Sequence, residues 1–125
     1  MVKSIISVIV VFLLIVGFAL FEGFYVNSKF NDFHDSLEIL YDKIDEESAV
    51  IDDVYAIQSS WIQKKKSLHV FIPHNEIKEI EMWLSESATL VRDKEWNDAI
   101  SKVEVLLELS EQIPKSFKVS FDNIL

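Results

Sequence analysis

Between Ile5 and Phe21 the chain carries 17 consecutive uncharged residues, IISVIVVFLLIVGFALF. A helix rises 1.5 Å per residue, so this stretch covers about 26 Å, and about 33 Å if continued to Val26 with Glu22 as its one charge. That length spans the hydrocarbon of a bilayer. A cleaved leader is the competing reading, because Lys3 precedes the apolar run and Gly17-Phe18-Ala19 offers small residues at a cleavage position. The apolar character nevertheless runs on through Leu20, Phe21, Phe24, Tyr25 and Val26, where a polar cleavage region would stand. A buried core helix is a third reading. It would require protein on every side, and the remaining 100 or so residues are too few to wrap it. The sequence therefore predicts an uncleaved anchor over residues 1–26, lipid-contacting through 5–26, and a second unit over residues 27–125.

The flanks set the expected orientation. Lys3 lies before the span, and Glu22, Lys29, Asp32 and Asp35 open the far side. The basic excess at the N-terminal end predicts a single-pass protein of the cell membrane, with its N-terminus in the cytoplasm and its C-terminal domain outside. The formal charge of the chain is −9. Beyond Lys3 there are 11 basic against 21 acidic residues, a balance that repels phosphate backbones and anionic headgroups, so nucleic acid is not an expected partner. The chain has no cysteine, which removes disulfides, thiolate metal sites and thiol nucleophiles together.

Helix breakers are scarce. Both glycines, Gly17 and Gly23, sit in or beside the span, and the prolines are Pro73 and Pro114. Apolar residues recur at three- and four-residue steps in four segments, which predicts an all-α fold. Phe30, Phe33, Leu37, Leu40, Tyr41 and Ile44 mark the first helix, with no interruption separating it from the span, so one rod of about 40 residues and roughly 60 Å is expected. The cluster Asp45-Glu46-Glu47-Ser48 ends it. Val50, Val54, Ile57 and Trp61 mark the inner face of a second helix that finishes at Lys64-Lys65-Lys66, cations suited to a helix C-terminus. Ser67 to Ile72 reads as a connection with Val70, Phe71 and Ile72 tucked inward. Pro73 suits the first turn of a third helix, striped by Ile77, Ile80, Leu84, Ala88 and Val91 with Trp83 at its edge. Asp93 is placed to cap a fourth helix, whose inner face carries Trp96, Ile100, Val103, Leu107 and Ile113, and Pro114 is placed to close it. The tail SFKVSFDNIL alternates Phe117, Val119 and Phe121, the period of an extended segment, and Phe121 and the apolar end at Leu125 are candidates for docking a partner.

Shifting the chain by 46 residues lays Val50, Val54, Ile57 and Trp61 on Trp96, Ile100, Val103 and Leu107. Two helix hairpins of similar pattern are implied, arranged as a small antiparallel bundle.

Known chemistry is hard to place on these residues. His69 and His74 are five apart across a proline and do not follow the HExxH zinc pattern, so no metal and no other cofactor is expected. The acidic run from Asp42 to Asp53 lacks the glycine that a calcium-binding EF-hand loop needs. Phosphate-cradling loops and serine elbows need glycine as well, and none follows Gly23. No enzyme activity is expected. Two readings remain: an interaction or structural module that docks another membrane or envelope protein through its acidic surface, Trp83 or the span, and a ligand-sensing domain with a pocket near Trp61, His69 and His74.

Trp61, the run LHVFIPHNEIKEIE from Leu68 to Glu81, Trp96 followed by Ala99, Ile113-Pro114 and the ending VSFDNIL carry a resemblance over the whole length. The chain resembles the small single-span proteins of Gram-positive bacteria grouped as domain of unknown function 4363. The resemblance implies a membrane-anchored helical domain with no assigned activity. It also implies a multispan membrane protein of the YetF type as a partner.

Overall fold

The computed structural model describes the backbone of residues 2–124 and the side-chain burial of residues 2–116. Four helices follow one another: α1 (Val2–Asp45), α2 (Ile51–Leu68), α3 (His74–Arg92) and α4 (Trp96–Ile124), with no strand among the described residues. Short connections force successive helices to run antiparallel. α1 packs on α2 and α4, and α3 on α2 and α4, which closes a four-membered ring.

The first helix is the expected rod, 44 residues long, which is about 66 Å. Its environment changes partway along. From Val2 to Phe24 the large apolar side chains other than the half-buried Val16 are open, Val8 at 68% and Phe24 at 74%. From Val26 onward Phe30, Phe33, Leu37, Leu40 and Ile44 are buried at helical spacing. This is the one described helix long and apolar enough to cross a membrane. Among the described residues, nothing lies within 4 Å of a Cβ added at Gly17 or Gly23.

The core of the bundle is filled by large side chains. Trp61 sits between Phe30 and Phe33, with ring centroids 6.0 and 4.9 Å away in tilted geometry. Leu68, Ile80, Leu84 and Leu106 are each no more than 1% exposed. α4 faces both α1 and α3, and its buried stripe is correspondingly wide. Ala99, Val103, Leu106, Ser110 and Ile113 are buried, and the expected Trp96, Ile100 and Leu107 lie half-buried on its flank.

The two hairpins share their turn geometry. α1 ends with Glu47 in the left-handed region (φ 56°), where Glu47 N–H donates to Ile44 and Ser48 N–H to Lys43. α3 ends with Lys94 at φ 57°, where Lys94 N–H donates to Val91 and Glu95 N–H to Leu90. Both are Schellman caps, built without the glycine that usually occupies the left-handed position. The caps are 47 residues apart, whereas the helices that follow them start 45 apart, at Ile51 and Trp96. The internal similarity is thus real in the turns, and the shift of 46 splits because the first connection is longer by two residues.

Several local expectations are corrected. The tail is helical, since α4 runs through Pro114 to Ile124 and neither Pro114 nor an extended segment ends it. Pro114 supplies no N–H to the carbonyl of Ser110, and that loss is offset where Ile113 beside it is buried at 3% exposure. Asp93 belongs to the end of α3, where its carboxylate pairs with Arg92 at 3.1 Å, and does not start α4. Val50 precedes α2 and is 56% exposed, not inward-facing. Val70 is 72% exposed whereas Ile72 is buried, so the α2–α3 connection is only half tucked in. Pro73 stands one position before α3.

Candidate functional site

The two ends of the bundle differ in charge. At the end away from the apolar part of α1, the two Schellman turns bring together Asp45, Glu46 and Glu47 of the first hairpin and Asp93, Glu95 and Asp98 of the second. Lys94 is the basic residue of that groove, which is lined by Glu47, Glu95, Trp96, Asn97 and Asp98 and measures about 400 Å³. Asp53 organises the first hairpin. Its carboxylate accepts the Val50 N–H at 2.9 Å and the Lys43 ammonium at 3.0 Å. Val50 has no side-chain oxygen to cap α2, so the reach-back from Asp53 is the half of a capping box that is present. The Val50 hydrogen bond, then Lys43, holds the Asp53 carboxyl below its ordinary range against the opposing effect of burial.

At the other end, Tyr25 OH donates to Ser67 Oγ at 2.7 Å, which pins the end of α2 beside the junction between the open and buried parts of α1. Five nitrogen-bearing side chains converge next to it on a groove of about 410 Å³: Lys65, Lys66, His69, His74 and Lys78. Glu81 is the acid of that lining, and it is bonded to Lys65. His69 Nδ1 lies 3.2 Å from the Lys65 carbonyl oxygen, and both histidines are exposed. Glu76, in the first turn of α3, is pushed above its ordinary value by burial and, secondarily, by the neighbouring Glu79.

The residues expected to form a pocket do not share one. Trp61 is 1% exposed and edges a separate groove of about 300 Å³ with Gln58, Ile62 and Ser85, whereas His69 and His74 line the basic groove. Lys65 and Glu81 border both. Trp83 is half-buried, with the Lys102 ammonium 4.8 Å from its ring centre. The indole nitrogens of Trp61 and Trp83 are buried without a hydrogen-bond partner among the described residues. Phe121 and Leu125 lie outside the residues whose side chains are described.

One cluster was not anticipated. The ligand atoms of His34, Asp35 and Glu38 lie within 4.8 Å of one another on α1. The His34 ring nitrogens are 3.6 Å from Glu38 and 3.1 Å from Glu111, so the imidazole serves as a bridge between α1 and α4. The His34-x-x-x-Glu38 spacing could have pointed to the first contact. Nothing local in the sequence points to Glu111, 77 residues away.

No curated protein and no solved structure matches the chain. A family profile described as domain of unknown function DUF4363 matches residues 24–124, so it begins where the open apolar stretch of α1 ends and runs to the last described residue of α4. With four-fifths of its length covered in this way, the chain belongs to the DUF4363 family.

Proposed function

We propose that the chain is a membrane-anchored interaction module: residues 5–26 span a bilayer and hold the helical domain outside the cytoplasm, where its acidic tip docks a basic surface of another membrane or envelope protein. The observation that carries this reading is the single helix that is openly apolar for its first half and part of a packed core for its second. Such a helix transmits its position in the bilayer directly to the bundle. The choice of a binding role rests on the filled core and on grooves that are open to solvent, neither of which offers an enclosed site for chemistry or for a small ligand. The tip concentrates acidic side chains around the half-buried Trp96, a combination suited to a basic, partly apolar surface. A multispan protein of the YetF type is the partner we favour.

The test is photo-crosslinking in native membranes, with the full chain carrying a crosslinker at Asn97. One discrete membrane-protein adduct is expected. It should be lost in a variant combining Glu47→Lys, Glu95→Lys and Asp98→Lys that retains wild-type helicity. Adducts unchanged by charge reversal would refute docking through the acidic tip. A small-ligand role would instead predict a melting temperature raised by an anionic solute and unaffected by the tip substitutions.

A further inference from the structure

Beyond the span, the described chain shows a second surface suited to lipid. Ser67 is level with Tyr25 through their hydrogen bond, and α2 descends antiparallel to α1, as the Lys43–Asp53 pair also shows. The residues after Leu68 therefore reach about one helical turn further, to the level of Phe21 and Glu22. A span of about 30 Å that starts at Ile5 ends near Phe24. The α2–α3 turn thus lies at, or slightly within, the boundary that the apolar part of α1 defines. Its tip is Val70, at 72% the most exposed large apolar side chain beyond the span among the described residues. The basic groove opens beside it, lined by Lys65, Lys66, His69, His74 and Lys78. Exposed Val70 with the Lys66 and Lys78 ammonium groups in the neighbouring groove is the pairing that an interfacial contact needs: an apolar tip for the acyl boundary and ammonium groups for headgroup phosphates. Glu76, Glu79 and Glu81 are the nearby acids on α3; Glu81 is bonded to Lys65, and burial disfavours the charged form of Glu76, while Glu22 stands at the same level on α1.

We infer that the α2–α3 turn is a second membrane contact, with Val70 in the interface and Lys66, Lys78 and the two histidines on the headgroups of anionic lipid. The net charge of −9 conceals this local basic groove, because it sums over the whole chain, including the acidic turns at the opposite end of the bundle. The inference rests on the spanning role given to α1, and the two are separable. The chain has no cysteine, so Phe12→Cys, Val50→Cys and Val70→Cys each carry one spin label. Each full-length variant is reconstituted into vesicles of phosphatidylcholine, or of an equal mixture with phosphatidylglycerol, and probed with oxygen and with a water-soluble nickel chelate. The label at residue 12 should lie in lipid in both, the label at residue 50 in water in both, and the label at residue 70 in the interface when phosphatidylglycerol is present. Adding Lys66→Gln or Lys78→Gln should reduce the lipid-to-water ratio at residue 70 about five-fold per charge. A residue-70 label as aqueous as that at residue 50, beside a residue-12 label in lipid, overturns the second contact and leaves the span intact. Equal burial at residue 70 in both vesicles overturns the role of the cations. A residue-12 label in water overturns the span and the contact together.

Discussion

Trp61 offers the sharpest test of how the bundle is held together. Its indole is enclosed by Phe30 and Phe33 and is 1% exposed, yet its N–H has no partner among the described residues. Two opposing effects follow. Removing the side chain in Trp61→Ala loses its burial and leaves a cavity, a cost of about 3–5 kcal/mol. Trp61→Phe loses one ring of the indole, about 1 kcal/mol of apolar transfer at ~25 cal/mol per Å². It also removes a buried donor whose unmet hydrogen bond costs about 1–3 kcal/mol. The Phe variant should therefore be as stable as the parent or up to about 2 kcal/mol more stable, and the Ala variant about 4 kcal/mol less stable. Urea unfolding of the full chain in detergent, followed by helical circular dichroism and by the fluorescence of Trp83 and Trp96, measures both. If Trp61→Phe were as damaging as Trp61→Ala, the indole N–H would have to hold something, and the account of Trp61 as packing alone would be refuted.

Other substitutions probe the helix ends. Asp53 titrates below the ordinary carboxylate value near 3.8 in the folded chain, so its stabilisation is complete above the unfolded pKa and is lost as pH falls through the folded one. Asp53→Asn should cost about 1 kcal/mol at neutral pH and flatten the acid limb of a stability-versus-pH curve; an unchanged acid limb would refute the assignment. Glu47→Gly and Lys94→Gly should each stabilise by about 0.5–1 kcal/mol, because a non-glycine residue pays for its left-handed conformation and glycine repays only part of that in chain entropy. Thermal melts of the single and double variants check this, and additivity is expected for two separate turns. Pro114→Ala should stabilise α4 by about 2 kcal/mol by restoring a hydrogen bond to Ser110, read as slower amide exchange around residue 114; a destabilised variant would show that the proline serves the packing there.

The long helix, the four apolar stripes and the antiparallel order were legible because they depend on spacing alone. Phe30, Phe33, Leu37, Leu40 and Ile44 repeat at the helical period, and only Ile39 among the large apolar side chains of that stretch faces solvent. The errors fall where tertiary packing overrides a local signal. Pro114 and the alternating Phe117, Val119 and Phe121 read as a stop and an extended tail, but helix α4 continues alongside α1. Asp93 has the chemistry of an N-cap, and the left-handed Lys94 after it makes it the end of α3 instead. The charge separation along the bundle was invisible for a different reason. The basic residues from Lys65 to Lys78 are close in sequence but sit on two helices and the turn between them, and a net charge carries no coordinates. His69 and His74 were marked as candidates and do share a groove, but only the fold shows which lysines join them.

The unbroken α1 makes the domain a lever. From Phe24, at the edge of the openly apolar stretch, to Asp45 at its end is about 31 Å of helix. Spans commonly lean by about 20°, more in thinner bilayers. With α1 spanning a bilayer as proposed, a lean of that size would swing the far end sideways by about 11 Å with no bending of the protein, and bilayer thickness would then set where the acidic turns stand over the plane of the membrane.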